Sequence, residues 1–147
     1  MATLEDLQGK IEEYITKYRR EDLPKIKQSG VYGLYPDIPF NGQIPSQRWP
    51  ELWPYTNQRG IYAIFNHEKL LYIGKASQQD IGYRLSSYFK YGEDKKCHSI
   101  HKWSNPPTHI VVWAVPEGMF FEASALEEFL INELKDDLPD NTAGKNV

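Results

Sequence analysis

The apolar positions change period along the chain, and each change marks an element. Leu4, Leu7, Ile11, Tyr14, Ile15 and Tyr18 recur every three or four residues, which predicts an amphipathic helix packed on a core. Thr3 stands where its hydroxyl can cap that helix, and Asp6 gives a capping box. Helical spacing then stops, because Pro36, Pro39, Pro45, Pro50 and Pro54 exclude a long helix between 24 and 59. The run Trp49-Pro50-Glu51-Leu52-Trp53-Pro54-Tyr55 is too apolar for a disordered linker. It predicts an ordered, extended segment wrapping the domain. At least one of its tryptophans belongs to the core, and with Arg48 and Arg59 nearby the rings also offer a stacking element for nucleic acid.

From Gly60 the pattern becomes that of strands. Gly60-Ile61-Tyr62-Ala63-Ile64-Phe65 and Leu70-Leu71-Tyr72-Ile73-Gly74 flank the polar Asn66-His67-Glu68-Lys69, a hairpin pattern. Register decides what the hairpin can do. A three-residue turn, Asn66 to Glu68, sets Tyr62 opposite Tyr72, whereas a two- or four-residue turn puts them on opposite faces. Gly74, at the end of the second run, lets a neighbouring backbone or a ligand phosphate come close. A helix follows, with Asp80 as its cap and Arg84 to Phe89 in its body, so that Arg84 and Tyr88 share a face. Lys90 to Pro107 is polar, and His109 to Val115 is a continuous apolar run expected to be a central strand. Ala123, Leu126, Leu130, Ile131 and Leu134 stripe a last helix from Glu122 to Leu134. Glu127 lies on or beside that stripe. A carboxylate there is costly unless an arginine or a metal ion holds it.

These elements predict an α+β fold: a small, mainly antiparallel, three-stranded sheet flanked by helices, with an N-terminal helix and a Pro/aromatic-rich extended segment. Residues 1–57 form the helix and wrapping segment, 58–142 the main domain, and 143–147 a frayed tail. At 147 residues one domain is expected. No apolar run is long enough to cross a membrane, and the first residues lack a signal peptide's basic and apolar regions. A single cysteine, Cys97, excludes a disulfide framework and a thiolate-rich zinc site, and fits the cytoplasm. The net charge of −3 argues against a nucleic-acid binder. Its distribution answers that in part, because Arg84, Lys90, Lys95, Lys96 and Lys102 make a basic stretch interrupted only by Glu93 and Asp94.

The tripeptides Gly60-Ile61-Tyr62 and Tyr72-Ile73-Gly74 resemble the signature of the GIY-YIG nuclease family. The resemblance extends to Arg84-Leu85-Ser86-Ser87-Tyr88, to Glu127 on the later helix, and to Pro139-Asp140-Asn141 near the end, one residue tighter than usual. It covers roughly residues 58 to 142 and leaves 1–57 unexplained. It implies a metal-dependent endonuclease acting on duplex or branched DNA. The alternative is a non-catalytic nucleic-acid or protein-binding module on the same fold.

The chemistry of these side chains suits that implication. Glu127 can be the sole protein ligand of Mg²⁺ or Mn²⁺, since Mg²⁺ keeps most of its waters. Arg84 offers a planar fork to a phosphate oxygen. Tyr62 can accept a proton from the attacking water if a cation such as Lys75 lowers its pKa, and Tyr72 can hydrogen-bond the phosphate or the water. Tyr88, His98 and Asn141 are candidates for ordering the site. Lys90, Lys95, Lys96 and Lys102 are candidates for the DNA backbone.

Overall fold

The computed structural model describes residues 1–141; the expected frayed tail lies outside them. In chain order the elements are α1 (Leu4–Tyr18), β1 (Lys27–Gln28), β2 (Tyr32–Gly33), β3 (Gln47–Arg48), β4 (Gly60–Asn66), β5 (Lys69–Ala76), α2 (Ile81–Ser86), β6 (Phe89–Tyr91), β7 (Cys97–Ser99), β8 (His109–Ala114) and α3 (Phe121–Leu134). The fold is α+β. The Thr3 hydroxyl accepts from the Asp6 amide and the Asp6 carboxylate accepts from the Thr3 amide, so the capping box is complete.

The sheet is larger than the three strands predicted. It has six strands in mixed order: β3-β2-β8-β4-β5, with β1 also pairing β8, while β6 and β7 form a separate hairpin. The β8-β4-β5 core is antiparallel, and β2–β3 is the parallel pair. The extra strands come from the proline-rich segment. Two-residue strands leave no periodic trace, yet β8 is buried along its whole length and its outer edge needs backbone partners. Tyr32–Gly33 and Lys27–Gln28 supply them.

The sheet is apolar on both faces. On one face Ile61, Ala63, Phe65 and Ile73 pack under Leu7 and Ile11 of α1 and Leu126 and Leu130 of α3. On the other, Tyr62, Ile64, Ile110 and Val112 pack under Trp53, Ile81, Leu85 and Phe89. Trp53 is thus a core tryptophan, its indole N–H donating to Ser86. The functional side chains must emerge where this double cover ends, along the free edge of β5.

The hairpin turn has two residues, His67 and Glu68, with Asn66 paired to Lys69 and Phe65 to Leu70. Such a turn alone would separate Tyr62 from Tyr72. A β-bulge intervenes: the next pair is Ile64 with Tyr72, leaving Leu71 unopposed. The extra residue flips the rest of β5, so Tyr62 opposes Gly74 and Tyr72 sits diagonally on the same face. The three-residue turn expected from sequence is replaced by two residues plus a bulge, with the same outcome for the tyrosines.

Candidate active site

The site is assembled across the edge of β5. Tyr62 lies flat over the opposite strand, and a Cβ at position 74 would collide with its ring. Gly74 is therefore a glycine so that the Tyr62 ring can cross toward Tyr72, their centroids 6.3 Å apart. The close approach expected at this glycine is made by a tyrosine ring.

Helix α2 brings the next two groups. Ile81 and Leu85 are buried, which turns Arg84 along the sheet toward the tyrosines. The helix ends at Ser86, before the predicted end at Phe89. Ser87 stays in the αR region and the Tyr88 amide still bonds the Leu85 carbonyl, so Arg84 and Tyr88 meet as their spacing requires. Asp80 occupies the N-cap position but caps nothing; its carboxylate binds Arg59 instead.

Four groups then join. The Tyr62 hydroxyl donates to that of Tyr88 at 2.9 Å, and the hydroxyls of Tyr88 and Tyr72 are 3.2 Å apart. Arg84 Nη2 donates to Tyr88 at 3.2 Å and to Tyr62 at 3.4 Å, with Cζ 5.6 Å from the Tyr88 ring centre. Trp103 packs beside both Tyr72 and Tyr88, and His101 lies against Tyr88, with ring centres 4.9 Å apart.

From the other side of the β5 edge, Lys75 reaches α3, where its ammonium donates to Ser124 at 3.1 Å. Glu127 stands one turn further along α3. Tyr72, Lys75, Arg84 and Glu127, with Ser77, Gln78 and Gln79, line one cleft of about 410 Å³. Glu127 is half-buried, and among the described residues no hydrogen bond or ion pair is made to its carboxylate. Burial raises its pKa, opposed by the positive charges of Lys75 and Arg84.

Asn141 fixes the edge. Its side-chain carbonyl accepts from the Ile73 amide at 2.9 Å and its amide donates to the Ile73 carbonyl at 2.9 Å, as a paired strand residue would. Asp140 bonds the Leu71 carbonyl through its amide and holds Ser104 through its carboxylate. This clamp closes β5 between the bulge and Gly74, where Tyr72 and the cleft need a fixed backbone.

Other expected groups lie elsewhere. Tyr62 is fully buried and does not line the cleft. Burial drives its pKa upward, with Tyr88 and Tyr72 adding to the rise and Arg84 opposing it. The condition that Lys75 lower it is not met, because Lys75 projects to the α3 side. His98 belongs to the β6–β7 hairpin and binds Asp94 at 2.9 Å. Lys90, Lys95 and Lys96 are exposed on that same hairpin and Lys102 on the loop after it, and none lines the cleft. Burial pushes the Cys97 thiol up to about 12, which makes it a poor nucleophile.

Ser77, Gln78, Gln79, Ser124, His101 and Trp103 were not singled out by the sequence. Only Ser124 carried a signal, one turn before Glu127 on α3. The chain matches no protein-family model, no curated protein and no solved structure.

Proposed function

We propose that the chain is a metal-dependent DNA endonuclease of the GIY-YIG type, hydrolysing phosphodiesters in the cleft at the edge of β5. What carries the reading is Glu127, a half-buried carboxylate without a bonded partner among the described residues and facing Tyr72, Lys75 and Arg84 across that cleft. A buried carboxylate costs free energy unless a cation or donors hold it. The donor set is one hard oxygen ligand with room for water, which suits Mg²⁺ or Mn²⁺. Such an ion would supply Lewis acidity to a phosphoryl oxygen and lower the pKa of bound water. Arg84 and Lys75 offset the charge of the phosphodiester, and Arg84 does so from a fork already oriented by Tyr62 and Tyr88. The aromatic wall of Trp103 and His101 beside Tyr72 suits a nucleotide next to the scissile phosphate.

A non-catalytic binding module on the same frame is the second reading. The net charge of −3 and the Asp94–His98 pair among the hairpin lysines favour it. A cleavage assay on duplex, branched and single-stranded DNA separates the two. Cleavage that needs Mg²⁺, stops in EDTA and is lost in folded Glu127→Gln supports the enzyme. No cleavage by the wild type, or full activity in folded Glu127→Gln, removes it.

A further inference from the structure

The three tyrosine hydroxyls form a chain, and proton counting gives that chain a direction. Arg84 can only donate, and its Nη2 donates to both Tyr62 and Tyr88. Tyr62 is sealed in the core, and among the described residues its one remaining partner is the Tyr88 hydroxyl. If Tyr88 donated to Tyr62, the Tyr62 proton would have no acceptor in a site closed to water, an arrangement native structures avoid. Tyr62 therefore donates to Tyr88. The Tyr88 oxygen then accepts from Tyr62 and from Arg84, and its own proton goes to Tyr72 at 3.2 Å. With the acceptor positions of Tyr88 filled, the Tyr72 proton cannot turn back and must point into the cleft.

We infer that Tyr88 is a positioning residue that makes Tyr72 a one-way hydrogen-bond donor into the cleft, so that Tyr72 meets an anionic oxygen of the ligand, a phosphodiester, and not the proton of the attacking water. Tyr62 is the closed end of the chain, and its role is to keep Tyr88 turned toward Tyr72. This rests on the endonuclease reading for the identity of the ligand, but the direction of the chain stands on the hydrogen bonds alone. Donors from Tyr72, Lys75 and Arg84 then face one carboxylate, Glu127, across the cleft.

The test is a double-mutant cycle on binding of dimethyl phosphate with saturating Mg²⁺, followed by NMR titration. Tyr72→Phe removes the donor and should weaken binding about tenfold, the scale of one hydrogen bond to a charged group. Tyr88→Phe should weaken it by a smaller factor, because Tyr72 keeps its proton but loses the donor that holds it in place. The double variant should be no weaker than Tyr72→Phe alone, since Tyr88 acts only through Tyr72. The hydroxyl removed by Tyr62→Phe bonds neither the ligand nor Tyr72, yet its loss should weaken binding in the wild-type background and do nothing in Tyr72→Phe. That pair also keeps the test decisive if Tyr88→Phe does not fold. Losses that add in the double variant, no effect of Tyr88→Phe, or no binding by the wild type would each overturn the inference. A non-additive cycle in a protein that cuts no DNA would retire the endonuclease and leave the Tyr72 assignment standing; cleavage with an additive cycle would do the reverse.

Discussion

Glu122 and Glu127 sit on the same helix, α3, and have opposite surroundings. Glu122 is almost fully buried where α3 meets the end of α1. Arg19 grips both its oxygens, at 2.7 and 3.0 Å, and the Tyr14 hydroxyl adds a third bond at 3.0 Å. Arg19 is itself held by the Pro24 carbonyl. Burial and the Glu122 charge push Tyr14 up to about 12, so it remains a donor at any ordinary pH. Glu127 is less buried, yet no side chain among the described residues bonds it, and Lys75 and Arg84 stand nearby without closing on it. A buried charge that the fold has fully answered is a structural joint. One that the fold has left open in a cleft lined with cations is a place for something else.

The comparison is broken most severely at Glu122. Arg19→Ala leaves a carboxylate buried and unpaired in the joint, and such losses cost roughly 3–5 kcal/mol. Urea denaturation should show that drop. A loss below about 1 kcal/mol would mean that the joint between α1 and α3 does not depend on the pair.

Arg84→Ala is the matching change at the open site, and there the effect should fall on rate. Removing one preorganised donor typically costs a factor of about 10²–10³, and Arg84→Lys should recover little of it because an ammonium cannot reproduce the fork. Replacing Lys95 and Lys96, exposed on the hairpin, should weaken DNA binding and its salt dependence without changing the single-turnover rate. If Arg84→Ala changes affinity alone, it belongs with those lysines.

Between these lies Asn141, a closed polar group that serves the open site. Asn141→Ala uncovers both polar atoms of Ile73 on the edge of β5 and should cost about 1–3 kcal/mol. Amide exchange should quicken at Ile73. Unchanged protection there would show that the edge is held by other contacts.

The smallest effect is expected at His109, another fully answered buried group. Thr108 and the Ile38 carbonyl take its two ring nitrogens, and burial lowers its pKa. Its charged form is disfavoured only in the folded protein. Its contribution is therefore complete above about pH 6.5, the unfolded value, and is lost as pH falls from there toward the folded value, by at most about 1.4 kcal/mol per pH unit. Imidazole NMR should find His109 neutral below pH 6.5, and titration at or above 6.5 would contradict this.

Much of this arrangement is legible in the sequence, and the parts that are not share a cause. The capping box at Thr3, the hairpin, the buried β8 strand and the meeting of Arg84 with Tyr88 all follow from spacing within one element. Glu127 could be placed near the apolar stripe of α3 for the same reason. The bulge was hidden because Leu70 and Leu71 are both apolar, so alternation cannot say which is the extra residue. Strands β1 to β3 are two residues each, too short for any period; β1 and β2 exist because β8 needed partners, and β3 pairs with β2 in turn. The burial of Tyr62 depends on α2 and the proline-rich segment closing over it, which no local pattern encodes.

The central claim is that Glu127 is open because it holds a divalent cation. Isothermal calorimetry of Mn²⁺ binding tests it without a substrate, comparing the wild type with Glu127→Gln. The substitution removes a charge that burial disfavours, so the variant should be at least as stable in its folded state. One Mn²⁺ site in the wild type and none in a folded Glu127→Gln is the predicted result. Equal Mn²⁺ binding by both proteins, or none by the wild type, would contradict it.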